Sequence, residues 1–220
     1  MKIIESNNEK DLERYKDKDK NGKIIEINNE KDLERYKDKY GYTIPWNAIF
    51  TYSADIIGRL EVEWYLYIEK ECFIIAGGYI KAGGYINAGE FIEAGGFIIA
   101  EGSIKAEGHI DAVRYIEAGE SIEAGGYIDA GGFIKAGESI KAGRFIYAGT
   151  FIDVEEYIET GEFIYAEGYI EVGGHIKAGG YIENWEFIEE NIIIETRWKK
   201  IEEVKPSKFK QQIFSLPIIK

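Results

Sequence analysis

A single cysteine, Cys72, in 220 residues rules out an internal disulfide and any cysteine-based metal cluster. Three prolines leave no polyproline or collagen-type segment, despite 26 glycines. Two histidines, His109 and His175, are too few for a three-histidine metal site within one chain. No apolar run approaches the ~20 residues that cross a bilayer. The start, Met1 to Ser6, leads into a charged run and has no signal-peptide core, so the expected location is cytoplasmic. Positive charge is also short, with 27 Lys and Arg against 40 Asp and Glu, a net charge of −13. The deficit is local. Residues 42–194 carry 9 basic and 26 acidic side chains, whereas residues 195–220 carry 7 and 3. An acidic body argues against nucleic acid or membrane as a partner along its length. The basic end reads as a solvated polar cap.

What is present is a repeat. From Ile68 to Ile194 an isoleucine recurs every sixth residue, at 22 positions without exception. Tyr79-Ile80-Lys81-Ala82-Gly83-Gly84 is one unit. In a strand, alternate side chains point to opposite faces. Ile80 and Ala82 therefore share one face, and Tyr79 and Lys81 the other. Charges recur at the Lys81 position and are not buried unpaired, so the Ile/Ala face is interior. The residue two after each isoleucine, from Ala76 to Glu190, is Ala at 15 of 20 positions. The two residues that follow, often Gly-Gly or Gly-Glu, let the chain turn. Each hexad thus predicts one short strand and one corner, and the whole an all-β, single-stranded parallel β-helix.

The number of hexads per coil stays open between three and two. Ser103, Ser121 and Ser139 replace the ring residue at every third hexad. Charges at 105, 123, 141, 159, 177 and 195 alternate in sign at the same interval. Opposite charges across a ladder are favourable. A two-hexad coil also pairs opposite charges, as in Glu69, Lys81, Glu93, Lys105 and Glu117. The serines and the gentler corner favour a three-sided coil, one hexad to a side. About seven such coils at ~4.8 Å each give a rod of roughly 35 Å.

Four segments are expected: a duplicated strand–helix segment at 1–41, an N-terminal cap at 42–66, the hexad repeat at 67–195, and a C-terminal cap at 196–220. Residues 2–18 and 23–39 are identical at 16 of 17 positions, Ser6 facing Ile27. Each copy reads as a short strand, then an Asn-capped helix; in the second, Leu33, Tyr36 and Tyr40 fall at helical spacing. One copy suffices to dock on the solenoid end. Beyond the repeat, Trp198, Ile201, Val204, Phe209, Ile213, Phe214 and Leu216 are placed to cover the last coil.

Three constellations carry possible chemistry. The outward rings Tyr79, Phe97, Tyr115, Phe133, Phe151, Tyr169 and Phe187 form one column if three hexads make a coil. Such a stripe both stabilises the ladder and marks a partner or self-association surface, giving a monomer or lateral dimer. Glu93, Asp111 and Asp129 would stack on one face, where a weak Ca²⁺ site is conceivable but a solvent-screened ladder is favoured. Asp17, Asp19 and Asn21 match the start of an EF-hand loop, but position twelve is Asn28 rather than Glu, so coincidence is the reading. No metal and no cofactor are expected.

The hexads resemble those of hexapeptide-repeat β-helix proteins. In the left-handed transferases of that group the small residue precedes the aliphatic by two; here it follows by two, as in Ile80-x-Ala82. The loop-free period is closer to that of bactofilins, polymer-forming scaffolds, and that resemblance implies a right-handed coil. The expected function is a non-enzymatic structural or interaction scaffold. The alternatives are a hexapeptide-type transferase with an inter-subunit site around His109 or His175, and a glycan- or small-ligand-binding module on the ring face.

Overall fold

A short strand and a tight corner leave each hexad too small to bury its own apolar side, so the hexads must stack. The computed structural model describes residues 24–184, 193–196 and 212–215. The stack it shows is a three-sided parallel β-solenoid. The first sheet has eleven strands, beginning at Ile24–Ile27 and ending at Gln212–Ser215. The second has eight, from Gly41–Ile44 to Ile170–Val172, and the third eight, from Ala54–Ile56 to Ile182–Asn184. Successive strands of the chain visit the second, first and third sheets in turn, and every pair within a sheet is parallel.

Three hexads make one coil. Ile92 pairs with Ile110, Ile98 with Ile116 and Ile104 with Ile122. A two-hexad coil would have paired Ile92 with Ile104, and is excluded. From Ile74 to Ile176 each repeat isoleucine is at most 1 % exposed, so the interior is three continuous isoleucine columns backed by alanines. Burying one such side chain is worth ~1.5–3 kcal/mol. Corner amides join the ladder as well: Gly95 N donates to Ala76 O at 2.8 Å and Gly108 N to Glu90 O at 2.7 Å. Backbone groups outside the strands are thereby satisfied by the next coil.

The same frame continues below the regular repeat, under a different residue code. Leu60 pairs with Ile80 and Val62 with Ala82. Ala54 and Ile56 pair with Ile74 and Ala76, and Ala48 and Phe50 lie under Leu66 and Ile68. At Ala48/Phe50 and Ala54/Ile56 the small residue comes first and the large one second, the reverse of the later Ile-x-Ala. The pair still joins one small and one large side chain while its order is exchanged. Between Ile68 and Ile74 the phase also shifts. Ile68 pairs with Ala88, not with Ile86, which pairs with Leu66. Two extra residues lie in the turn Glu69–Phe73, where Glu71 takes φ 64°. The six-residue spacing from Ile68 to Ile74 therefore hides a change of slot. Gly58, at φ 100°, is needed lower down: a Cβ there would lie 2.5 Å from Tyr40 O.

At the N-terminal end, a helical turn at Glu30–Leu33 continues as a 3-10 turn at Glu34–Tyr36. Asn29 is the N-cap, its Oδ1 accepting from Asp32 N at 3.2 Å. Leu33 is buried and Tyr36 packs on the core, but Tyr40 is exposed and outside the helix. Beyond the helix, the Asp38 carboxylate accepts from Tyr40 N and Gly41 N at 2.7 and 3.1 Å and holds the chain in a turn. Residues 1–23, 185–192, 197–211 and 216–220 lie outside the described residues. They include the first copy of the duplication, Asp17, Asp19, Asn21, Phe187 and most of the proposed C-terminal cap.

Candidate functional site: ring columns and an acidic row

From Ile74 to Ile182 the residue before each repeat isoleucine lies on the outer side, at the corner where its strand begins. The three-hexad register places these residues one above another at strand spacing, which is also ring-stacking spacing. Tyr79, Phe97, Tyr115, Phe133, Phe151 and Tyr169 form one unbroken stack, with centroids 4.4, 4.9, 4.6, 5.0 and 4.9 Å apart. Phe187, the seventh residue of the set, lies outside the described residues. Planes tilt by no more than 13° within the stack. Each ring is half-buried because its faces meet its neighbours, and the edges are what solvent meets. A second stack runs along the corner where the third sheet's strands begin: Phe73, Phe91, His109, Tyr127, Phe145, Phe163 and Tyr181, with centroids 4.5–5.2 Å apart. It was equally readable from the sequence by stepping three hexads at a time from Phe73, once His109 is counted as a ring.

The third corner is broken. Tyr65 stacks on Tyr85 at 5.4 Å and Tyr157 on His175 at 5.0 Å. Between them stand Ser103, Ser121 and Ser139. Ser121 and Ser139 hydroxyls are 3.1 Å apart, and Ser121 donates to Glu138 at 3.0 Å. Ser103 and Tyr85 both donate to Glu120, each at 3.0 Å. A shallow groove opens where the rings are missing, lined by Tyr85, Asn87, Ser103, Lys105, Ser121 and Glu123.

The residue after each isoleucine gives every sheet a central outer row, and the three rows differ in charge. On the first sheet Lys105, Glu123, Lys141, Glu159 and Lys177 alternate; Lys105 pairs with Glu123 at 3.6 Å and Lys177 with Glu159. The second sheet mixes Lys81, Ile99, Glu117, Lys135 and Asp153, with Lys135 bound to Asp153 at 2.9 Å. On the third sheet Glu93, Asp111 and Asp129 stand in register, between Ile75 below and the stacked Tyr147 and Tyr165 above.

Burial, followed by repulsion from Glu93, raises the Asp111 carboxyl above the ordinary aspartate value, against a smaller opposing pull from His109. Burial and then Asp111 do the same for Asp129. The Tyr127 hydroxyl is pushed up by burial and by the same three carboxylates. His109 Nε2 lies 2.9 Å from Glu93 Oε1 while its ring is held between Phe91 and Tyr127. Among the described residues no three His, Cys, Asp or Glu side chains are grouped to hold a metal ion. Among them too, no helix is long and apolar enough to cross a membrane.

The third sheet therefore lies between two continuous ring columns, one at the start of its strands and one across the corner after them, with carboxylates along its middle. His109 belongs to this sheet and His175 to the first, so the two histidines serve different faces. The class of protein defined by this geometry is the three-sided parallel β-solenoid. Compared with protein families, curated proteins and solved structures, the chain matches none.

Proposed function

We propose that this protein is a non-enzymatic structural or interaction scaffold that associates side-on through the Tyr79–Tyr169 ring column. The observation that carries the reading is the unbroken stack of six rings along a rod whose coils bear no loop between Ile74 and Asn184. Ring edges along these six coils offer a long apolar contact line. The neighbouring second sheet favours another copy of the chain as the partner. Its outer row mixes Lys81, Lys135, Glu117 and Asp153, so two rods side by side can bring opposite charges together. The acidic row on the third sheet repels its own kind and limits pairing to the other side of the corner.

The likeness to bactofilin scaffolds supports this reading through period and loop-free coils alone. A cytoplasmic site of action belongs to the same reading, since a lone Cys72 leaves no internal disulfide to favour an oxidising compartment. Weighing against a glycan-binding module, sugars stack on ring faces, and here the faces are turned to one another. Sedimentation velocity over a concentration range tests the proposal. Wild type is expected to form a side-by-side dimer, and the Phe97→Ser, Phe133→Ser double variant a monomer. A wild-type chain that stays monomeric at every concentration, or a variant that dimerises equally well, overturns it.

A further inference from the structure

The N-terminal end of the solenoid is covered by residues 24–39, which are fastened by strand pairing, hydrogen bonds and side chains packed on the core. Ile24–Ile27 pairs with Asn47–Phe50 as the edge strand of the first sheet. Thr51 N donates to Ile27 O at 3.1 Å, and Thr51 Oγ1 donates to Asn28 Oδ1 at 2.8 Å. Leu33 is buried beneath the helical turn, and Glu34 accepts from the Tyr42 hydroxyl at 2.9 Å. Ile27 is fully buried.

At the matching positions of the first copy the chain carries Asn7, Leu12 and Glu13, in a segment that departs from the docked one only at Ser6. The single difference falls on the residue with the deepest burial. A serine there forfeits the ~1.5–3 kcal/mol of a buried isoleucine and takes a hydroxyl into an apolar site.

We propose that residues 2–18 are a spare cap, able to occupy the same end of the same rod, and that Ile27 against Ser6 decides which copy sits there. Exchange requires residues 19–39 to become a surface loop between Lys18 and Tyr40. Loop closure costs only logarithmically more as a loop lengthens, so this span is tolerated. Ile27 against Ser6 is the one difference in side chains between the copies; the second copy is also favoured by its short connection, where Asp38 accepts from Tyr40 N and Gly41 N.

The test compares wild type, Ile27→Ser, Ser6→Ile and the double variant Ser6→Ile/Ile27→Ser by thermal melting and by hydrogen exchange at the Thr51 amide. Ile27→Ser is expected to lower the melting temperature by roughly 5–10 °C and to speed Thr51 exchange at least tenfold. The double variant is expected to recover most of both, independently of protein concentration, because the first copy then carries the isoleucine. Removing residues 2–18 from the double variant should abolish the recovery. Should Ile27→Ser not fold at all, a double variant that folds is the same rescue. A double variant no better than Ile27→Ser, a recovery that survives removal of residues 2–18, or an Ile27→Ser chain that loses nothing overturns the proposal.

Discussion

Asp111 stands in register with Asp129, one strand spacing along the outer surface of the third sheet. Like charges directly opposite one another cost a ladder ~0.2–1 kcal/mol. Asp111→Asn is expected to stabilise the chain by about that amount at neutral pH, measured as a higher urea midpoint with an unchanged slope.

The pH dependence follows from the direction of the shifts. Asp111 and Asp129 titrate above their ordinary value of 3.8 in the folded chain, so just above that value the folded state holds more protons than the unfolded one. Their penalty is complete at neutral pH and fades as pH falls through the raised values. Glu159 works the other way. Its bond to Lys177 lowers its carboxyl below 4.5, and its contribution, present above that value, is lost on acidification. The Asp111→Asn/Asp129→Asn variant should therefore lose the part of the wild-type pH profile in which mild acid stabilises. An unchanged profile in melting experiments would show that the row is fully screened.

His109 holds the middle of the second ring column. His109→Phe keeps both stacking partners and loses only the bond to Glu93, so its stability is expected within ~0.5 kcal/mol of wild type. His109→Ala breaks two stacked pairs at ~0.5–1.5 kcal/mol each and should cost roughly 1–3 kcal/mol in urea unfolding. Equal losses in the two variants would mean that the Glu93 bond, not the stack, is what matters there.

Ile116 has no exposed surface. Ile116→Ala is expected to cost ~2–5 kcal/mol, and Ile116→Asp to prevent folding, since an unpaired carboxylate cannot be hydrated in that column. Circular dichroism and gel filtration of the two variants check this.

At the far end, Gln212–Ser215 pairs with Ile193–Thr196 as the last strand of the first sheet. Removing residues 196–220 strips the last strand and the end of its partner, leaving an open sheet edge. Such an edge templates pairing with another chain. Light scattering should show end-to-end association of the truncated chain and none of the intact one.

The parity of Tyr79-Ile80-Lys81-Ala82 was enough to separate inside from outside, because an alternation in which charge always falls on the same face has one physical solution. The six-ring column followed from Ser103, Ser121 and Ser139, whose interval chose three hexads per coil over two. The acidic row Glu93, Asp111 and Asp129 was legible for the same reason. The column through His109 is masked in the sequence because an imidazole interrupts its run of Phe and Tyr, although it stacks as a ring between Phe91 and Tyr127. The coils below Ile68 were not legible as repeat because Ala48/Phe50 and Ala54/Ile56 fill the same slots in reverse order. Ile68 misled for a sharper reason: an isoleucine at the right interval stood in the alanine slot, and only the turn containing Glu71 separates the two phases.

That turn has a consequence for how the chain finds its fold. A run of interchangeable rungs has no intrinsic starting point, since moving the thread along by one rung returns isoleucine to isoleucine and alanine to alanine. Among the described residues the two additional residues of Glu69–Phe73 occur once, and Ala48/Phe50 and Ala54/Ile56 on their N-terminal side use the opposite order of small and large. A chain mis-threaded by one rung would still set Ala54 against an isoleucine, but it would set Phe50 against Ala88 instead of Ile68 and leave the two additional residues without their turn. The interruption thus serves as a zero mark on a scale that is otherwise uniform, and it fixes which rung is counted first.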